Sequence, residues 1–294
     1  MGVRCGKSIR CDGVERALRL IPGGTDVGLR DGTGSPEEGP SLRLAAEQLR
    51  PFIGRRIKAV GGNSRIGIER LRHRRVDEIF AWGKHLVFQC GDVALRVHFL
   101  LWGTFAATVR GQSVTGDYRR TGPPRLVLTF SNGEITIWSA SLRFVDGRDV
   151  RASYDFTVDV MAPEWDPRAA ARRVRQHPAA SIADLLLDQS IFAGVGNIIK
   201  NEVLFRTRTS PFAKVRDLSS RRVRAIVDDA RTFSFRFLEL RRAFALRKSL
   251  EIYGKSACAA CGGKVSRRIH GTRQRRSFFC QACQPTRRLR RRGH

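Results

Sequence analysis

The sequence lacks any long apolar run, and the first residues lack the apolar stretch of a secretory signal peptide. A membrane-spanning helix needs about 18 consecutive apolar residues, so the sequence predicts no transmembrane segment. Without a signal peptide, an extracellular disulfide-bonded framework is disfavoured. We therefore expect a soluble protein without a membrane partner, and we assign it to the bacterial cytoplasm.

Acidic residues are also scarce. The chain of 294 residues has 27 Asp and Glu against 55 Lys and Arg, which gives a formal net charge of +28. A hydrophobic content of 41% argues against wholesale disorder, and the length suits roughly two domains. Such an excess of basic residues favours an anionic partner, and nucleic acid is the commonest one. Most of the basic residues are arginines, whose planar guanidinium suits phosphate.

Seven cysteines are present, and four of them form two C-x-x-C pairs: Cys258 with Cys261, and Cys280 with Cys283. This spacing is typical of a zinc ribbon, in which four thiolates bind one Zn²⁺ tetrahedrally. Four protein ligands leave no position for water, so we expect a structural rather than a catalytic ion. Cys5, Cys11 and Cys90 form no comparable set.

Composition and periodicity divide the chain into successive segments. Leu42, Ala45, Ala46 and Leu49 recur at helical spacing, and several short β-rich runs follow, with an Asn132-Gly133 turn typical of a hairpin. The prediction is an α+β protein: an N-terminal antiparallel β-sandwich flanked by a helix, a C-terminal helical domain and a four-cysteine finger. The expected boundaries are a disordered or spurious leader (1–35), the β domain (36–160), the helical domain (161–254), the finger (255–285) and a basic tail (286–294).

The most informative run extends from Leu187 to Ile198 and contains a Gly-Val-Gly-Asn turn. Gly194 and Gly196 permit a tight turn, and Asn197 then lies near a helix N-terminus, where free amides favour phosphate. Taken alone, the turn fits an ordinary helix–helix corner equally well.

This run resembles the helix-two-turns-helix (H2TH) motif of the formamidopyrimidine-DNA glycosylase/endonuclease VIII family. Three other segments resemble family motifs in the same order: Pro36–Pro40 the N-terminal proline-glutamate segment, Gly83–Leu86 the hairpin with an essential lysine, and the four-cysteine ribbon the zinc finger. The resemblance covers residues from about 36 to 285 and favours the endonuclease VIII-like branch.

The resemblance implies a bifunctional DNA glycosylase and AP lyase of base-excision repair. In that family the amine of an N-terminal proline attacks C1′ of a flipped nucleotide, a Schiff base forms, and the strand is cleaved by β,δ-elimination. Pro36 would supply the amine. The assisting carboxylate would be Glu37 or Glu38, because the chain has one residue more than the motif here.

The resemblance also implies the contacts with damaged double-stranded DNA. Lys84, Asn197 and Arg275 would bind phosphates beside the lesion, and Leu101 would fill the hole left by base flipping. Leu101 also fits an ordinary core position, and Lys84 an exposed turn. We expect one structural Zn²⁺ and a monomer.

The sequence departs from the family at the reacting amine, because 35 residues precede Pro36 and an amide nitrogen is not a nucleophile. Proteolysis, an error in the N-terminal sequence, or loss of the lyase chemistry would each explain this. Two alternative functions therefore stay open: a catalytically inactive damaged-DNA-binding protein, and a zinc-ribbon RNA- or ribosome-associated protein.

Overall fold

The computed structural model of the protein describes residues 38–115 and 122–285, apart from the side chains of residues 101 and 102. The predicted leader and basic tail, and with them Pro36 and Glu37, lie outside the described residues. Three parts follow one another along the chain: a β lobe (39–150), a helical lobe (160–250) and a finger (255–285).

The β lobe is antiparallel throughout. Its elements are α1 (Gly39–Gln48), β1 (Ala59–Gly61), β2 (Glu78–Trp82), β3 (His85–Cys90), β4 (Val93–Val109), β5 (Gln112–Ser113), β6 (Leu126–Phe130) and β7 (Gly133–Asp146). The strands pair in the order β1-β6-β7-β4-β3-β2, and β5 pairs with β4. Buried side chains of α1 and of one sheet face form the core of this lobe.

The long strand β4 contains two of the predicted short strands. Its register with β7 shifts between Phe99 and Thr104, so each half of β4 pairs with a different half of β7. Such an irregularity bends a strand without ending it. Hydrogen bonding therefore joins the predicted strands into one continuous sheet. The N-terminal antiparallel β domain itself is confirmed.

The helical lobe contains α2 (Pro167–Arg175), α3 (Ile182–Leu186), α4 (Asn197–Arg206), α5 (Ser220–Arg242) and α6 (Leu246–Ser249). Two side chains cap helices of this lobe: that of Asp166 accepts the backbone N–H groups of Arg168 and Ala169, and that of Ser219 accepts the N–H of Arg222. The long helix α5 packs against α1, α2 and α4. This lobe has its own core.

The finger is a short hairpin, β8 (Ser266–His270) with β9 (Arg275–Phe279), beside the two cysteine pairs. Its buried core is small, and two of its members, Cys258 and Cys280, belong to the predicted zinc ligands. Among residues 38–115 and 122–285, none of the helices combines the length and the apolar character that crossing a bilayer would require.

Candidate active site

Three of the sequence motifs meet where the β lobe contacts the helical lobe. We call the proline-glutamate segment Pro36–Pro40 the first motif. The backbone N–H of its Gly39 donates to the carbonyl of Gly194 in the H2TH turn at 2.8 Å. Gly83, in the hairpin that bears Lys84, lies against the same turn, since a Cβ on Gly83 would approach Cβ of Ala193 to 3.1 Å. We call this meeting point the junction. The junction thus brings the H2TH turn into contact with two segments that lie more than a hundred residues earlier in the chain.

Glu38 connects the first motif to the N-terminus of α4. Its side chain is buried, and its carboxylate oxygens accept the backbone N–H groups of Gly196 at 2.5 Å and Ile198 at 2.8 Å. The first N–H groups of a helix have no intrahelical acceptor, and the positive end of the helix dipole favours an anion there. The carboxylate of Glu38 therefore accepts two N–H groups at the N-terminus that sequence reasoning assigned to phosphate.

Glycine is required at this contact for steric reasons. A Cβ on Gly196 would lie 2.4–2.5 Å from the carboxylate of Glu38, and a Cβ on Gly39 would lie 2.6 Å from Cα of Gly194. Both distances are far below van der Waals contact. The glycines of the predicted tight turn therefore permit the close approach of the two lobes.

Gln189 stabilises the turn from within the motif. Its Oε1 accepts the N–H of Gly194 at 3.0 Å, and its Nε2 donates to the carbonyls of Leu187 and Val195, each at 3.1 Å. One amide side chain thus satisfies three backbone groups of an irregular loop. Gln189 lies within the run from Leu187 to Ile198, but sequence reasoning assigned it no role.

Lys84 lies at the tip of the β2–β3 hairpin, where Trp82 pairs with His85. The N–H of Gly83 donates to Oδ2 of Asp159 at 2.9 Å, and Nδ1 of His98 lies 3.1 Å from the carbonyl oxygen of Lys84. Hydrogen bonds therefore fix the backbone on both sides of Lys84. Asp159 was missed by sequence reasoning, although a lone carboxylate among apolar residues is a usable signal.

Two groups around the hairpin have shifted pKa values. Burial raises the pKa of Asp159, although the backbone N–H groups of Gly83 and Met161 oppose that shift. Burial, with the positive charge of Arg96 and the nearby His98, lowers the pKa of His85 to about 4. His85 is thus neutral at physiological pH and adds no charge next to Lys84.

A set of hydrogen bonds connects α4 to the finger. Lys200 on α4 is buried, and its Nζ donates to the carbonyl of Arg276 at 3.2 Å and to Oγ of Ser277 at 3.0 Å. The N–H of Phe278 donates to Oδ1 of Asn201 at 2.8 Å. Asn197 and Arg275 themselves lie on α4 and β9, so these contacts connect the two elements that carry them.

The environment of Lys200 is unusual for a lysine. Burial, together with the positive charge of Arg275, lowers its pKa to about 7. Sequence reasoning did not single out Lys200, because its position follows from packing between α4 and a hairpin about 76 residues later.

The four predicted zinc ligands are brought together. The sulfur atoms of Cys258, Cys261, Cys280 and Cys283 all lie within 4.8 Å of one another, which fits tetrahedral coordination of one ion. Cys90 is buried elsewhere, and burial raises the pKa of its thiol to about 12. Cys5 and Cys11 lie outside the described residues.

Leu101 lies within β4, and its side chain is outside the described set, so its insertion into DNA stays a prediction. The choice between Glu37 and Glu38 as the assisting carboxylate also stays open. The structure describes only Glu38, and there it places the carboxylate against α4.

Comparison with known proteins agrees with this architecture. Residues 157–239 match the family model described as the formamidopyrimidine-DNA glycosylase H2TH domain. The chain is 26% identical over 283 residues to human endonuclease 8-like 3, covering 95% of this chain and 46% of that protein. It is 29% identical over 225 residues to the DNA-(apurinic or apyrimidinic site) lyase Nei2 of Mycolicibacterium smegmatis, covering 71% of this chain and 82% of that protein.

The fold is also that of a solved structure. Lactococcus lactis formamidopyrimidine-DNA glycosylase, crystallised non-covalently with DNA containing an AP site, superposes with a TM-score of 0.73 and 21% identity over 85% of this chain and all of that one. By contrast, the chain spans about half or less of the length of the mammalian relatives it matches, with 33% of mouse endonuclease 8-like 3 covered.

Proposed function

Because the chain belongs to the formamidopyrimidine-DNA glycosylase/endonuclease VIII family, in its endonuclease VIII-like branch, we propose that it is a DNA glycosylase with AP lyase activity. It excises oxidised bases from duplex DNA and cleaves the strand at the resulting abasic site. One observation carries this proposal: the first motif, the Lys84 hairpin and the H2TH turn meet at the junction. An ordinary helix corner does not require the other two motifs beside it.

In the proposed reaction, the amine of Pro36 attacks C1′ of the flipped nucleotide and the base departs with a proton. The Schiff base then acidifies the C2′–H bond, and loss of that proton expels the 3′ phosphate; a second elimination expels the 5′ phosphate. The amine must be free, so activity requires a chain that begins at Pro36. The carboxylate of Glu38 binds the N-terminus of α4. In the proposed reaction, Glu37 or Glu38 protonates the opening sugar.

Base flipping costs a few kcal/mol, and phosphate contacts on both sides of the lesion offset that cost. We assign these contacts to Lys84 from the β lobe, Asn197 from α4 and Arg275 from the finger, with Leu101 filling the vacated space. The formal charge of +28 supports a polyanionic partner. The proposed enzyme acts as a monomer, at the nucleoid of a bacterial cytoplasm.

We propose that Cys258, Cys261, Cys280 and Cys283 bind one structural Zn²⁺. The donor set fits, because four convergent thiolates form a closed tetrahedral site. The ion would fix the finger and so the position of Arg275, while the reaction at the sugar uses the protein's own groups. We also propose that the finger (255–285) is a separate domain.

The test is strand cleavage of duplexes that contain an oxidised pyrimidine, an 8-oxopurine or an abasic site, with borohydride added to trap the Schiff base. The full chain and a chain that begins at Pro36 are compared. We expect cleavage and trapping by the chain with the free proline. Tight binding without trapping would support the inactive damaged-DNA binder, and indifference to lesions would support the RNA- or ribosome-associated protein.

A further inference from the structure

Asp159 belongs to the segment that connects the two lobes, and it has no place in the motifs discussed above. It is 5% exposed, and both carboxylate oxygens accept backbone N–H groups: Oδ2 that of Gly83 at 2.9 Å, and Oδ1 that of Met161 at 2.8 Å. A buried carboxylate is costly unless it is fully hydrogen-bonded. The two N–H groups offset that cost, and one of them, that of Gly83, belongs to the β-lobe hairpin.

The segment around Asp159 is fixed relative to the helical lobe. Arg231 on α5 donates to the carbonyls of Val160 at 3.0 Å and Ala162 at 2.8 Å. Next to Asp159, the N–H of Val160 donates to the carbonyl of Ala193 in the H2TH turn at 3.2 Å. The carboxylate of Asp159 is consequently a rigid acceptor whose position is set by the helical lobe.

The N–H group of Gly83, which donates to Asp159, belongs to the β lobe. Gly83 has a φ of 52°, in the left-handed region, and immediately precedes Lys84 at the hairpin tip. A two-residue hairpin tip is ordinarily free to move with its own strands. Here the bond from Gly83 to Asp159, 76 residues later, ties the tip to the helical lobe.

We propose that Asp159 is a positioning residue for Lys84: by accepting the N–H of Gly83 it sets the Lys84 backbone in register with the H2TH turn. This inference rests on the proposed function, in which Lys84 and Asn197 bind phosphates of one lesion strand. Two such contacts act together only if their spacing matches the DNA backbone. Asp159 connects the hairpin to the lobe that carries Asn197, so it controls that spacing.

The experiment measures the affinity of the full chain for a duplex with an uncleavable tetrahydrofuran abasic analogue, over a range of salt concentrations. Each phosphate contact contributes about 0.9 to the slope of log affinity against log salt concentration. We expect Asp159→Asn to reduce the magnitude of this salt slope by about 0.9, the contribution of one phosphate contact, and we expect the same reduction for Lys84→Ala. The double variant should lose no more than Lys84→Ala alone, because both changes remove one contact.

Asp166→Asn is the matched control, because Asp166 also accepts two backbone N–H groups, at 2.8 and 2.9 Å, but at the start of α2. Its slope should equal that of the wild type. A wild-type slope for Asp159→Asn, or losses that add in the double variant, would overturn the inference while leaving the proposed function intact. A wild-type chain that does not bind the duplex would contradict both.

A second measurement covers the case in which Asp159→Asn does not fold. Hydrogen exchange of the Gly83 amide in the wild-type chain should be at least about tenfold slower than in an unstructured peptide, because the bond to Asp159 must open first. Exchange at the unprotected rate would show that the bond does not persist in solution, and the inference would fail.

Discussion

The junction and the finger both position predicted DNA contacts, but different forces hold them. At the junction, the carboxylates of Glu38 and Asp159 accept backbone N–H groups, and glycines allow direct contact between chains. The finger has a small core and four cysteine sulfur atoms that lie close enough together to bind one ion. The junction should therefore form from the polypeptide alone, whereas the finger should be conditional on its metal.

Removal of zinc should break this comparison most strongly. A structural zinc site contributes its binding energy to folding, so chelation should unfold the finger and lower the affinity for lesion-containing DNA more than about 100-fold. The β lobe should stay folded, because its core is separate. Binding by fluorescence anisotropy and near-ultraviolet circular dichroism measure the two effects. Melting of the β lobe together with the finger, or unchanged affinity for DNA, would contradict the contrast.

Gly196→Ala tests the junction in the same way. Its Cβ would lie 2.4–2.5 Å from the carboxylate of Glu38, so the free energy of unfolding should fall by about 1–3 kcal/mol. Gly61→Ala is the control, since its Cβ would lie 3.8 Å from Cβ of Val127 and should cost less than about 0.5 kcal/mol. Urea titrations measure both changes. Equal losses would show that the close approach is unimportant.

Lys200→Met tests the contact between α4 and the finger through the pH dependence of the free energy of unfolding. The pKa of Lys200 is about 7 in the folded chain and 10.5 as the ordinary value, so between these values the unfolded chain binds one more proton. The free energy of unfolding therefore rises with pH in this range, and the unfolding constant falls about tenfold per pH unit. Below pH 7 this contribution no longer changes with pH. We expect Lys200→Met to lower this slope by one proton, measured by denaturant titrations at pH 7.5–10. An unchanged slope would contradict the placement of Lys200.

Arg275→Ala should have the smallest effect. Loss of one phosphate contact should reduce the salt slope of DNA binding by about 0.9 and weaken binding alike for every lesion. Arg267→Ala is the control, because Arg267 is exposed on β8 of the same hairpin. If the two variants change the slope equally, the finger contributes only diffuse charge.

The sequence alone predicted the local features well. The hairpin at Asn132-Gly133 and the helix that begins at Asn197 depend on residues close in sequence, and the structure contains both. The ligand spacing of the cysteines likewise implied their convergence. These features follow from backbone preferences and short loops, which a sequence displays directly.

The long-range partners were not predictable. The residues next to Asp159 in the sequence do not indicate that its carboxylate accepts the N–H of Gly83. Those next to Lys200 do not indicate that its amino group donates to a hairpin about 76 residues later. The N-terminus of α4 was interpreted as a phosphate site, whereas its amides at Gly196 and Ile198 donate to Glu38. Such pairings are set by how the two lobes pack, and a single sequence does not encode that packing in any local pattern.

The central proposal is that Pro36 supplies the reacting amine, and peptide mapping of a borohydride-trapped adduct tests it most directly. The chain that begins at Pro36 is trapped on an abasic-site duplex, digested and examined by mass spectrometry. The account predicts a sugar-derived adduct on the N-terminal nitrogen of Pro36. An adduct on Lys84 or another lysine, or no adduct while the duplex is bound, would contradict it.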